Sequence, residues 1–221
     1  MDETSKTKKI WTSFETALLT GQGIDIGCGP DPITPNARRF DVDDGDANEI
    51  FKYVADTFDF VYSSHCLEHM RDPKKSLHDW WALVKPGGHL IVIVPDEDLY
   101  EQGVFPSRFN SDHKATFTIS KAKSWSPVSL NVLDLVTGLP DSQLVNLVLQ
   151  DHFYDRGCTY RGINKPSRPT RILIKAYRNV KTLIAFRCQA LEALEEHFTP
   201  FDQTTLPNVL AQIQCVVRKN P

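Results

Sequence analysis

The chain has 221 residues, of which 41% are hydrophobic, and a formal charge of −3. That length suits one sizeable core, with or without an appended subdomain, and the charge excludes any bulk attraction to nucleic acid. The longest apolar run, residues 90–94, is too short to span a membrane, and the polar residues 1–9 lack the apolar centre of a secretory leader.

In chain order, Trp11, Phe14, Leu18 and Leu19 recur at helical spacing and predict a helix ahead of the first strand. Gly23-Ile24-Asp25-Ile26 then alternates like a short buried strand and runs into Gly27-Cys28-Gly29-Pro30. A second extended segment, residues 38–42, ends in the acid-rich turn Asp41-Val42-Asp43-Asp44-Gly45-Asp46. Residues 58–62 are aromatic and β-branched, as strands are. Asp72-Pro73 is a helix start, an N-cap acid followed by proline at the first helical position. Leu77, Trp80, Trp81 and Val84 supply that helix's apolar face, Pro86-Gly87-Gly88 stops it, and residues 89–94 form the next strand. Strand, helix and strand in this order predict a parallel crossover.

Beyond Asp96 the pattern turns irregular to about Lys123, with aromatics, acids and the cluster Asp112-His113-Lys114. A long loop of this kind in a compact domain is usually functional. Apolar periodicity resumes over residues 128–149, and Pro166 and Pro169 punctuate the chain before a long helix predicted over 171–198. Leu173, Tyr177, Val180, Ile184, Cys188 and Leu191 would line one side of it. Residues 211–217 read as a closing strand. Five cysteines, at 28, 66, 158, 188 and 215, form neither a CxxC pair nor an even framework, as expected of a reducing cytoplasm.

The glycine loop chooses between nucleotides. A dinucleotide site needs GxGxxG opening directly into a helix whose N-terminus faces the pyrophosphate. Here position 32 is proline, and Pro30, Pro32 and Pro35 prevent a normal helix from opening. A ligand with ribose, adenine and an amino-acid tail, but no phosphate, loses nothing by this. Asp41 closes the second strand, where a carboxylate accepts ribose hydroxyls, and Asp25 lies beside the loop, where it meets an ammonium directly or through water. Each aspartate alone is equally a turn cap.

Asp25-Ile26-Gly27-Cys28-Gly29 resembles the first motif of class I S-adenosylmethionine-dependent methyltransferases. Residues 58–69 resemble that family's fourth strand and following loop, and residues 83–95 its helix-turn and fifth strand. The three motifs stand in the family's order over residues 20–95. The resemblance implies an α/β, Rossmann-like doubly wound sheet of about seven strands, mostly parallel with one antiparallel strand and helices on both faces. It implies S-adenosyl-L-methionine as cofactor, with Gly27 and Gly29 facing the methionine moiety, Asp41 the ribose, and Cys28 and Val42 beside them as further cofactor-binding residues. Asp46 and Ala47 would lie near the adenine, and Ser64 and His65 near the sulfonium. Only eleven residues separate Gly29 from Asp41, so the elements beside the second and third strands are cut down, and Asp43 competes with Asp41 for the ribose.

His65-Cys66-Leu67-Glu68-His69 matches the H-x-x-E-H zinc-protease signature. That chemistry needs both histidines on one helix face, whereas this stretch follows a strand and the next helix starts only at Pro73. The expectation is therefore no metal, with His69 as pocket wall or general base. His69 and His113 are the base candidates by residue type, since imidazole titrates near neutrality.

Residues 156–187 hold nine Lys or Arg and no Asp or Glu, and Arg168, Arg171, Lys175 and Arg178 form one helical stripe. A solvated face is the ordinary reading, and a site for an anionic partner the alternative. No nucleic-acid module motif accompanies it. The expectation is one methyltransferase domain over 1–221, with 96–125 as an acceptor-side insertion and 150–200 as a basic helical addition. It would methylate oxygen or nitrogen of a small-molecule or glycan-linked acceptor, anionic if the basic stripe takes part. The alternatives are a non-catalytic cofactor-binding interaction protein and an RNA methyltransferase.

Overall fold

The computed structural model describes residues 3–158, 167–184, 188–197 and 201–221. They divide into two compact units, one of residues 1–154 with 203–221 and a smaller one of residues 155–202.

The larger unit is built on a sheet whose strands succeed one another in sequence as β1 (Gly23–Ile26), β2 (Ala37–Phe40), β3 (Phe58–Ser64) and β4 (Val84–Pro95). A two-stranded sheet of β5 (Thr116–Thr118) and β6 (Ser129–Asn131) comes next, and β7 (Ser142–Gln150) and β8 (Gln212–Lys219) rejoin the main sheet. Across the main sheet the order is β2-β1-β3-β4-β8-β7, and β8 runs antiparallel to both of its neighbours. Six strands stand where about seven were expected. The difference lies at the β2 edge, where the Asp41–Asp44 turn and a 3-10 helix, Ala47–Lys52, occupy the chain between β2 and β3. The shortened linkers seen in the sequence leave no room there for another strand and its helix.

Period-two alternation divides the core between the two faces. Val61, Leu90, Val92 and Val94 point to one side, where they pack with Leu77, Trp80 and Trp81 of α3 (Pro73–Ala82). Asp72 caps that helix, accepting from the Lys75 amide at 3.1 Å, and Pro73 opens it as predicted. A cap of this kind is worth about 1 kcal/mol. The opposite face, Phe60, Tyr62, Ile91 and Ile93, is covered by Ile33 and by Trp11, Leu18 and Leu19.

Two helices precede β1, and only the second falls within the stretch from Trp11 to Leu19 where one was predicted. These are α1 (Glu3–Ile10) and α2 (Ser13–Ala17), and the second is started afresh by a Thr12–Glu15 capping box. The strand predicted at 89–94 begins earlier, at Val84, because Val84 already pairs with Phe58 at the start of β3, and a shift in register then carries the pairing on to Phe60 and His89.

In the smaller unit the single helix predicted over 171–198 is two, α5 (Arg168–Ile184) and α6 (Gln189–His197), following α4 (Val132–Thr137) of the larger unit. The Cys188 amide donates to the Tyr177 hydroxyl at 3.1 Å, a contact that eleven residues of continuous helix, some 16 Å of rise, would forbid. Ile174 and Tyr177 form the buried face, whereas Leu173 and Val180, expected there, are 46% and 40% exposed. Arg168, Arg171, Lys175 and Arg178 are all exposed, as a solvated stripe requires. Pro166 and Phe198 lie outside the described residues.

Candidate functional site

The carboxyl ends of β1, β2, β3 and β4 carry nearly every residue singled out in the sequence. Gly27 and Gly29 both adopt left-handed φ, +77° and +54°. A Cβ on Gly27 would lie 2.6 Å from the Cys66 side chain, so a larger residue meets both backbone strain and a clash. The Gly27 amide donates to the Phe40 carbonyl at 2.7 Å, tying the loop to the end of β2. From outside, the Arg39 guanidinium reaches the Cys28 sulfur at 3.4 Å and the Gly29 carbonyl at 3.2 Å.

Asp25 sits beneath this loop and is 1% exposed. Its Oδ2 accepts the Ile33 amide at 2.6 Å, and its Oδ1 is buried with no hydrogen-bond partner. Burial first, then the charges of Asp31 and Asp41, push its pKa up to about 7. An orphaned carboxylate oxygen next to an open glycine loop fits an ammonium-bearing ligand.

Asp41 lies directly across from Gly29, its Oδ2 being 3.9 Å from where a Cβ would stand. Its other oxygen accepts the Val42 amide at 2.7 Å, which aims the carboxylate at the loop. Asp43 is exposed and makes no such approach. Val42 is 83% exposed, an apolar side chain next to Asp41. Asp46, by contrast, is committed. One oxygen caps the 3-10 helix at Asn48 and the other pairs with Arg71 at 3.0 Å, while the Ala47 carbonyl accepts the Trp80 indole at 3.1 Å. These are the groups beside which the adenine was expected, and they are held in place by the 3-10 helix, Arg71 and Trp80.

On the other side of the loop, β3 ends in buried Ser64 and in His65, whose φ of +52° turns the chain sharply. The His65 Nε2 donates to Gln212 Oε1 at 2.9 Å, since the Gln212 amide nitrogen is used on Thr7 and Gln150. Its Nδ1 lies 3.4 Å from Glu68 Oε1. Burial works to lower this imidazole, but Glu68 outweighs it and pushes the pKa up to about 9. Glu68 is itself fully buried. Burial works to raise it, but His65, with His113 and His69 beyond, holds it below the usual carboxylate range.

The stretch from His65 to His69 is not helical beyond the three-residue 3-10 turn Leu67–His69, which excludes the protease arrangement. What the fold does bring together was not legible as spacing. The Lys114 and Ala115 amides donate to the Glu68 carbonyl at 2.8 and 3.3 Å, strapping the irregular segment to the turn after β3. His113 is thereby placed 5.0 Å, ring to ring, from His69. The two base candidates are neighbours, and each is held by its own carboxylate. His69 Nδ1 bonds Asp112 at 2.9 Å, and His113 Nδ1 bonds buried Glu101 at 2.6 Å. Tyr100 stacks on the His113 ring at 5.1 Å.

Glu68, Glu101 and Tyr100 were missed as site residues. The signal for Glu68 was its acidic character in an otherwise apolar turn, and it was read only against the protease template. Ligand atoms of Glu68, His69 and His113 all lie within 4.8 Å of one another. A cavity of about 560 Å³, lined by Leu77, His78, Thr118 and Leu135 among others, contains none of these residues. No helix of the described residues is long and apolar enough to cross a membrane.

Residues 8–130 match the profile of a family described as a methyltransferase domain. No curated protein matches by sequence. Solved structures similar to the chain include a candidate methyltransferase from Bacillus halodurans, 11% identical, covering 95% of this chain and 100% of that one with a TM-score of 0.49. A candidate sarcosine dimethylglycine methyltransferase from Galdieria sulphuraria is 14% identical over 98% of this chain and 83% of its own, with a TM-score of 0.47. Coclaurine N-methyltransferase bound to N-methylheliamine and S-adenosylhomocysteine is 12% identical over 97% and 71%, with a TM-score of 0.49.

Proposed function

The chain belongs to the class I S-adenosylmethionine-dependent methyltransferases, and from that premise we propose that it methylates an oxygen or nitrogen of a small or sugar-containing acceptor. The cofactor supplies a methyl group on a sulfonium sulfur, so the protein's own task is to position the acceptor, exclude water and ease the loss of its proton. In this reading Gly27, Cys28 and Gly29 admit the methionine moiety. Asp25 Oδ1 takes its ammonium and Asp41 the ribose, with Val42 under the base.

The observation that carries the acceptor side is the pair of carboxylate-held histidines. A carboxylate accepts only, so Nδ1–H is the donor in both rings, and in the neutral imidazole it is Nε2 that carries the lone pair. Two such nitrogens beside the end of β3 lower the cost of removing an acceptor proton. A hydroxyl acceptor needs that help most, which favours oxygen over an already nucleophilic amine. The domain extends over the whole chain in this reading, with 96–125 shaping the acceptor side and 150–200 added to it. Five free cysteines suit a reducing cytoplasm.

The experiment is incubation of the purified protein with labelled S-adenosylmethionine and a panel of hydroxylated, amino and glycosylated small molecules, with product masses recorded. A gain of one methyl group on a hydroxyl compound is expected. Donor binding with no turnover across the panel would favour the non-catalytic alternative, and turnover on RNA alone would replace the acceptor class.

A further inference from the structure

We infer that Glu68, His69 and His113 form a binding site for a divalent transition-metal ion at the turn after β3. Three independent features point to it.

The first is the donor set. Two imidazoles and one carboxylate, with ligand atoms within 4.8 Å of one another, are a common three-protein-ligand arrangement that leaves further positions open. Ligands about 2.1 Å from a tetrahedral ion stand about 3.4 Å apart. His113 Nε2 and Glu68 Oε1, at 4.0 Å, need only a small contraction. His69, at the partly exposed rim, has freedom to supply the rest.

The second is Glu68 itself. Its side chain is fully buried, and neither carboxylate oxygen has a hydrogen-bond partner. A buried ionised group left this way is costly unless a further charge completes it. His65 Nδ1 approaches Oε1 from one side at 3.4 Å and leaves Oε2 without a contact of this kind.

The third is the shell behind the histidines. Metal-bound imidazole commonly donates its other ring N–H to a carboxylate, which fixes tautomer and orientation. His69 and His113 both do so, through Asp112 and through buried Glu101. A structural histidine needs one satisfied bond of any kind. Two neighbouring histidines with the same carboxylate backing, each with a ring nitrogen within 4.8 Å of the same buried acid, are better explained by an ion between them.

The site lies at the turn after β3 and in the segment after β4, on the side given above to the acceptor. Resting on that reading, the ion would bind an acceptor oxygen at an open position and make its proton easier to lose. His69 and His113 would then be ligands, and direct proton uptake by an imidazole is the alternative. The acceptor class narrows to molecules that present a hydroxyl, or two adjacent hydroxyls, to a metal.

The test is titration of chelator-stripped protein with Co²⁺, read by the visible absorption of the bound ion and by calorimetry, with Zn²⁺ and Mn²⁺ as further probes. S-adenosylhomocysteine binding is measured on the same samples. One ion per chain is expected. Its affinity should fall at least 100-fold in His69→Ala and in Glu68→Gln, and about 10–100-fold in Asp112→Asn. Should Glu68→Gln fail to fold, the two rim variants still decide. No metal uptake at millimolar ion by protein that binds S-adenosylhomocysteine would overturn the site and leave the methyltransferase reading intact. Uptake unchanged in His69→Ala would place the ion elsewhere and equally overturn it. Metal uptake that depends on His69, in protein without affinity for S-adenosylhomocysteine, would support the site and contradict the assignment of the glycine loop.

Discussion

The two halves of the candidate site are made by different means. The side at β1 and β2 is mostly backbone. Two left-handed glycines, a tight turn and an acid at a strand end lie within seventeen consecutive residues, 25–41. The side beyond β3 and β4 is made of side chains brought from separate segments, with Glu68 and His69 on one and Glu101, Asp112 and His113 on the other. Backbone cradles tolerate no substitution at their glycines but ask little of neighbouring side chains. Side-chain clusters fail one residue at a time. The first half suits an invariant cofactor and the second an acceptor that differs between relatives of one fold.

If the halves are independent, changes in one leave the other's ligand alone. The largest effect expected is on turnover. His69→Ala should lower kcat/KM roughly 10²–10⁴-fold while S-adenosylhomocysteine affinity stays within about twofold, as steady-state kinetics and calorimetry on the same variant will tell. A parallel loss of cofactor affinity would mean that the two halves are one.

Gly27→Val attacks the other side. Left-handed strain of about 1–2 kcal/mol and a clash of about 1–3 kcal/mol with Cys66 together predict at least a 30-fold loss of S-adenosylhomocysteine affinity, with Co²⁺ uptake retained. Unchanged cofactor affinity would show the loop to be misassigned.

Asp41→Ala sharpens the comparison within the first half. Loss of hydrogen bonds to a charged group costs about 1.5–3 kcal/mol, or roughly 10–150-fold in affinity, whereas Asp43→Ala should stay within twofold. The reverse ranking would hand the ribose to Asp43.

The smallest effect is on pH dependence. Asp25 is held near pKa 7 by burial, so in the free protein it is largely neutral at pH 6 and largely ionised at pH 8. An ammonium bound at Oδ1 prefers the ionised form. Affinity for S-adenosylhomocysteine should therefore rise as pH increases from 6 to 8, by about tenfold at most. In Asp25→Asn that slope should vanish, and a slope that persists would place the titrating group elsewhere.

The difference between the halves also explains what could be read beforehand. The order strand, glycine loop, strand, acid is contiguous, and so were the cap at Asp72, the helix face of Leu77, Trp80 and Trp81, and the strands on either side. Local propensity and period suffice for those. The pairing of His113 with His69 depends on amides of residues 114 and 115 finding the carbonyl of Glu68, forty-odd residues away, and no periodicity encodes that. The break of the predicted 171–198 helix escaped for a related reason. Apolar spacing continues through Cys188 and Leu191, while the Cys188 amide's bond to the Tyr177 hydroxyl is one that only the folded chain reveals. That Asp46 caps a short helix and pairs with Arg71 was likewise not legible, because an acid after a strand looks the same whatever it contacts.

The central claim, that the glycine loop with Asp25 and Asp41 holds the methyl donor, is tested most directly by calorimetric titration of the unmodified protein with S-adenosylhomocysteine at pH 8. One molecule bound per chain, with affinity lost in Gly27→Val and Asp41→Ala, is the predicted result. Absence of binding by correctly folded protein, or binding indifferent to both substitutions, would contradict it.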